Sequence, residues 1–122
     1  MLTKASIEKL NSLLALPATG GEQDWDVELA DSGRLDEFVA AYSNVELTAA
    51  DRIALMALIL ASVDSYLDQR HALPTAWSSV SELLHRDEEL HRQTTEYWRR
   101  EGEEDPEGWF QLTPHIRQLN RQ

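Results

Sequence analysis

The chain reads as an all-α protein, a compact bundle of five to six helices around one central apolar helix over about 49–68. Three observations predict this. Apolar residues recur at spacings of three and four through nearly the whole sequence. The stretch from Ile53 to Leu67 is apolar over most of its circumference, a pattern that only a buried helix tolerates. Pro17, Gly20-Gly21, Pro74 and Pro114 fall between the periodic stretches, where they punctuate without interrupting them. A chain of 122 residues is one domain by size, 1–122, long enough to bury a core without staples.

In the first element Leu2, Ile7, Leu10, Leu13 and Leu14 share helical spacing, and Pro17 with Gly20-Gly21 ends it. Residues 24–30 are the exception to the helical rule. Trp25, Val27 and Leu29 alternate with Asp24, Asp26 and Glu28, a period of two that predicts a short extended segment with three carboxylates in a row. A second helix is expected from Ser32-Gly33, with Leu35, Phe38, Val39 and Tyr42 inward and Asp36 and Glu37 in its favourable first turn.

The central helix opens at Thr48, with Asp51 three residues on in the manner of a capping box. Its larger apolar residues, from Ile53 to Leu67, cover roughly 220° of arc at 3.6 residues per turn. Ala54, Ala57 and Ala61 fill most of the rest, where another helix can approach closely. Pro74 and Thr75 start a fourth helix that turns Trp77, Val80, Leu83 and Leu84 to one side. A fifth is expected from about Asp87 to Arg100, burying Leu90, Tyr97 and Trp98. Glu82–Arg86, Glu88–Arg92 and Glu96–Arg100 stand at i,i+4 in the favourable order, which neutralises the arginines and argues against a nucleic-acid patch. Thr113-Pro114 opens a last short helix with Ile116 and Leu119 inward.

The net charge of −11 is confined to two segments. Residues 22–37 hold Glu22, Asp24, Asp26, Glu28, Asp31, Asp36 and Glu37 against Arg34 alone, and residues 101–107 hold Glu101, Glu103, Glu104, Asp105 and Glu107 with no base. The remaining residues balance. Such local excess attracts cationic surfaces and repels nucleic acid and anionic membrane. The absence of cysteine excludes a disulfide scaffold and thiolate metal sites, and suits a reducing compartment. Polar residues interrupt the apolar ones before Pro17, unlike a signal peptide, and Ile53–Leu60 is far too short to span a bilayer. A soluble, cytoplasmic protein is expected.

Motifs for chemistry are lacking. Asp24-x-Asp26-x-Glu28 begins like a calcium loop, but that loop needs glycine at its sixth position and glutamate at its twelfth, where this chain has Leu29 and Leu35. Glu88-x-x-His91 is half of a di-iron carboxylate pattern without a second copy, and His85 and His91 stand six apart, a poor fit to one helical face. Both histidines are expected to be solvated or capping. There is no Gly-x-Ser-x-Gly elbow and no glycine-rich phosphate loop. No enzyme activity, metal or cofactor is expected.

Trp77 and Trp98 lie on inward faces, whereas Trp25 and Trp109 sit in or beside the acidic segments. Aromatic anchors ringed by charge are a common design for a binding hot spot. The same rings could instead staple their loops to the bundle, a reading that Phe110 and Leu112 favour for Trp109. The candidate partner-binding residues are Asp24, Trp25, Asp26, Glu28, Asp31, Asp36, Glu37, Glu103, Glu104, Asp105 and Trp109.

Three stretches carry a resemblance: residues 25–31 (WDVELAD) leading into 34–38 (RLDEF), residues 53–59 (IALMALI), and residues 108–114 (GWFQLTP). Together they resemble small acidic bacterial proteins often encoded beside secreted polymorphic toxins, where they serve as immunity proteins. That resemblance implies a non-enzymatic, stoichiometric inhibitor of a toxin domain, and it transfers no binding residue. The expected partner is a basic protein, with the free chain a monomer or weak homodimer. The alternatives are a metal enzyme using the carboxylates and histidines, or a homo-oligomeric scaffold joined through the alanine face of the central helix.

Overall fold

The computed structural model describes residues 2–119, whose regular structure is all helical, with no strand among them. The α-helices are α1 (Lys4–Leu13), α2 (Trp25–Glu28), α3 (Leu35–Ala41), α4 (Ala49–Arg70), α5 (Trp77–Arg86), α6 (Arg92–Arg99) and α7 (Thr113–Leu119). Single 3₁₀ turns lie at Ser32–Arg34 and Pro106–Gly108. None of these helices is long and apolar enough to cross a membrane.

The long helix α4 is the axis. Its run from Ala54 to Val63 is buried without interruption, and α1, α2, α3 and α6 pack around it. Thr48 accepts from the Asp51 amide at 3.1 Å and Asp51 accepts from the Thr48 amide at 2.9 Å, a complete capping box. At the other end His71 takes the left-handed conformation that closes many helices. Ala54, Ala57 and Ala61 are covered within the chain, so the small-residue face seats neighbouring helices instead of a second molecule.

Residues 24–30 correct the expected extended segment. Trp25–Glu28 forms one helical turn, closed by Glu28 N–H to the Asp24 carbonyl and Leu29 N–H to the Trp25 carbonyl. The sequence permits both readings, since Trp25 and Leu29 are also four apart. The helix buries those two and exposes Val27. It also satisfies its own backbone groups, for which an isolated strand would need a neighbouring edge that this bundle lacks.

The expected fifth helix is interrupted. α5 stops at Arg86, residues 87–91 turn, and α6 begins at Arg92. The turn lets the side chains of Asp87 and His91 both reach the Tyr42 hydroxyl, each at 2.6 Å. His91 is thus fully buried, not solvated, while His85 is exposed. Tyr97 was expected to be buried with Trp98. It is 53% exposed, because the shortened helix is phased to turn Trp98 inward. Leu13 is likewise exposed, while Leu10 and Leu14 carry the packing of α1.

None of the three i,i+4 pairs forms an ion pair among the described residues. The break at 87–91 removes the helical geometry between Glu88 and Arg92, and Arg92 pairs with Glu89 instead. Arg100, in a left-handed conformation, donates to the Gly108 carbonyl.

Candidate functional site

Tyr97 lies on the solvent side of α6 and is the exposed member of an aromatic cluster. Its ring centroid is 5.3 Å from both Trp98 and Phe110, and Trp98 and Phe110 meet edge-on at 4.9 Å. Trp98 roots the cluster in the core at 3% exposure. Arg100 covers the Phe110 ring, 5.3 Å from its centroid.

Carboxylates surround this cluster. Partial burial raises the Tyr97 phenol above its ordinary pKa, and the charges of Asp26, Asp24 and Asp64 raise it further against the opposing effect of Arg100. Three acids from two separate elements therefore act on one exposed ring. Asp26 and Asp64 are themselves half-buried, and desolvation first raises the pKa of each, with further repulsion from Asp24 and Asp68 respectively. Asp64 is held by the Leu112 amide at 2.9 Å, which ties the start of α7 to α4. Such carboxylates gain most from an incoming cation, because water only partly solvates them.

The second acidic segment, residues 101–107, leads through Gly108 and Trp109 to Phe110 of the cluster. This loop is stapled from inside. Arg117 of α7 donates to the carbonyls of Arg99, Arg100 and Glu103 at 2.8–2.9 Å, and its guanidinium lies 4.2 Å from the Trp109 ring centroid. Trp109 Nε1 donates to the same Glu103 carbonyl at 2.9 Å. Asp105 accepts from the Glu107 amide and Glu103 from the Asp105 amide, while Glu104 stays exposed. Replacing Arg117 by methionine keeps the stem but deletes three hydrogen bonds to carbonyls that end α6. A loss of about 2 kcal/mol in urea unfolding is expected, with faster amide exchange over residues 101–109. Unchanged exchange there would show that the contacts of Trp109, Arg100, Glu103 and Asp105 hold the loop without Arg117.

The structure divides the expected site residues. Asp24, Asp26 and Glu28 lie together on α2, with Glu28 accepting from the Asp24 amide at 2.8 Å. Asp31 lies elsewhere: its amide donates to Ser62, whereas Asp64 holds Leu112, and those two positions stand about 200° apart around α4. Asp31 also caps the 3₁₀ turn by accepting from Gly33, and Asp36 follows on the exposed side of α3. Glu37 is paired with Arg34, whose hydrogen bond holds the carboxylate below its ordinary pKa.

Trp25 is a correction. It is 3% exposed and its Nε1 donates to Asn11 at 2.8 Å, so it belongs to the core and is not a surface anchor. Trp109 is a half-buried loop staple. The exposed aromatic beside the acids is Tyr97, which periodicity had placed inside. Among the described residues no three His, Asp or Glu side chains converge as a metal-ligand set. No family model, curated protein or solved structure matches this chain.

Proposed function

We propose that this chain is an immunity-type binding protein, acting without catalysis, that holds a basic toxin or effector domain in a stoichiometric cytoplasmic complex. The observation that supports it is Tyr97, an exposed ring rooted in the core and flanked by Asp24, Asp26 and Asp64. A rigid tyrosine with carboxylates around it suits a lysine- or arginine-rich surface, with the ring excluding water at the centre and the acids guiding approach. The free chain is read as a monomer or weak homodimer. Charge of this kind chiefly speeds association, so affinity has to come from the desolvated aromatic centre.

The test starts from the adjoining reading frame, which this reading expects to encode a basic C-terminal domain, and uses that domain as the partner. Asp24→Asn with Asp26→Asn is expected to slow association several-fold at low salt and to flatten its dependence on ionic strength. Tyr97→Ala is expected to raise the dissociation rate about 30-fold while leaving the salt slope intact, as befits a hot-spot side chain worth about 2 kcal/mol. An unchanged rate and slope in the double variant would remove the electrostatic docking mechanism. Because Asp26 is half-buried and Tyr97 packs on Trp98 and Phe110, urea unfolding of each variant accompanies the binding measurement, and only a change in binding beyond any loss of folded protein counts.

A further inference from the structure

A groove of about 560 Å³ opens between α5, the turn after it, α6 and α7. It is separate from the acidic aromatic surface. Thr95 lines the groove, and Tyr97, two residues on, points about 200° around α6 from it. Leu84 and Ile116 form a buried apolar floor, continued by the half-buried Leu119.

The polar groups above that floor are mostly acceptors. The Ser81 hydroxyl donates to the Trp77 carbonyl at 2.8 Å, and the Thr95 hydroxyl donates to the Arg92 carbonyl at 2.9 Å. With their protons committed to the backbone, both hydroxyls turn only lone pairs toward the groove. Glu82 and Glu88 are acceptors when ionised, and neither enters an ion pair among the described residues. His85 adds one ring nitrogen that accepts and one N–H that donates in the neutral form. Among the described lining residues there is no lysine or arginine to neutralise the two glutamates.

An apolar floor beneath a rim of acceptors defines what can occupy the groove. The occupant must bury hydrocarbon and must donate. We infer that this groove binds a small apolar molecule carrying a protonated amine, with its hydrocarbon on Leu84, Ile116 and Leu119 and its ammonium between Glu82 and Glu88. The volume falls within the range of small-molecule sites.

The test uses an isosteric series, naphthylmethylamine, naphthylmethanol and naphthoate, titrated calorimetrically into the whole protein at neutral pH. The amine is expected to bind one per chain, the alcohol about tenfold more weakly, and the carboxylate not at all, as for loss of one charge-assisted contact. Glu82→Gln with Glu88→Gln should bring the amine down to the alcohol's affinity and leave the alcohol unchanged. Both positions are exposed, so the fold is not at risk. Thr95→Trp should fill the groove and weaken all ligands alike. Naphthoate binding as well as the amine, or no saturable amine binding, would overturn the inference. So would amine binding indifferent to the glutamate pair, or a groove saturated only by a leucine–lysine helical peptide.

Discussion

Asp51→Ala is expected to lower stability by about 3 kcal/mol, the largest effect of any single polar substitution in the chain. Asp51 is 3% exposed at the start of α4 and works in three directions. It accepts from the Thr48 amide at 2.9 Å, from the Ser6 hydroxyl at 2.7 Å and from the Lys9 ammonium at 2.8 Å. It thereby joins α1 to the N-terminus of α4 while capping α4. Truncation loses the reciprocal half of the cap, worth about 1 kcal/mol, and leaves the buried Ser6 hydroxyl without an acceptor, at about 1–3 kcal/mol. Lys9 is penalised less, because it is half-exposed and still donates to the Glu46 carbonyl at 2.7 Å.

Asp51→Asn should cost less than Asp51→Ala, since its oxygen keeps Thr48 and Lys9 while the Ser6 hydroxyl reverses to accept from its NH₂; what it loses is the charge on the Lys9 contact. Adding Ser6→Ala to Asp51→Ala should recover part of the loss by removing the stranded hydroxyl, a coupling readable in a double-mutant cycle. Urea unfolding measures all four proteins; a cost below about 1 kcal/mol for Asp51→Ala would mean that water replaces the network. The carboxylate has a further signature. Burial alone would raise its pKa, but the hydrogen bonds from Lys9, Thr48 and Ser6 outweigh burial and hold it well below the ordinary range. A depressed acid stabilises the fold above its unfolded pKa of 3.8, and that contribution fades as pH falls below it.

Acid sensitivity is expected to begin much higher, and its source is His91. Burial lowers the pKa of this imidazole from 6.5 to about 4, against a smaller opposing pull from Asp87. The hydrogen bonds explain the preference for the neutral form. Tyr42 donates to the Asp87 carboxylate at 2.6 Å, so His91 Nε2 must carry the proton and donate to the Tyr42 oxygen at 2.6 Å. His91 Nδ1 is then a buried acceptor with no partner. Protonation would place an N–H there with nothing to receive it.

The fold binds this proton less readily than the unfolded chain does. Stability is therefore full above pH 6.5 and falls as pH drops from 6.5 towards 4, at about 1.4 kcal/mol per pH unit, roughly 3 kcal/mol in all. His115 is shifted in the same direction by burial, so the contribution of His91 has to be isolated by substitution. His91→Leu fills similar space and leaves the Tyr42 proton on Asp87. Its stability is expected to keep only the shallower decline that His115 contributes, where the parent declines more steeply. Parallel pH profiles for parent and variant would show that His91 is not the proton-sensitive group. Below about pH 4 the loss from Asp51 adds to those of Glu22, Glu37 and Asp87, whose carboxylates are also held below their ordinary pKa, so the share of Asp51 is read from the pH profile of Asp51→Ala.

These two networks mark how much of the fold could be read in advance. The central helix was legible residue by residue, because an apolar circumference and a Thr48–Asp51 cap are local patterns with one physical solution. The confinement of charge to residues 22–37 and 101–107 was equally plain. Residues 24–30 were ambiguous, because Trp25 and Leu29 satisfy a period of two and a spacing of four at once. Only the absence of a neighbouring strand decides between them. Tyr97 was misplaced because the phase of α6 depends on where α5 ends, which depends on Tyr42, 49 residues before His91, drawing that side chain inside.

The candidate site illustrates the same division. Composition and spacing by themselves determined an all-helical chain with two local excesses of negative charge and no recognisable catalytic motif. Which acids share a surface was decided by tertiary packing: Asp24 and Asp26 come to Tyr97 with Asp64, while Asp31 is carried around α4 and Glu37 is neutralised by Arg34. The reason is one of range. Helix periodicity and capping act over three or four neighbours in the chain, whereas the field at a surface depends on side chains brought together from distant positions.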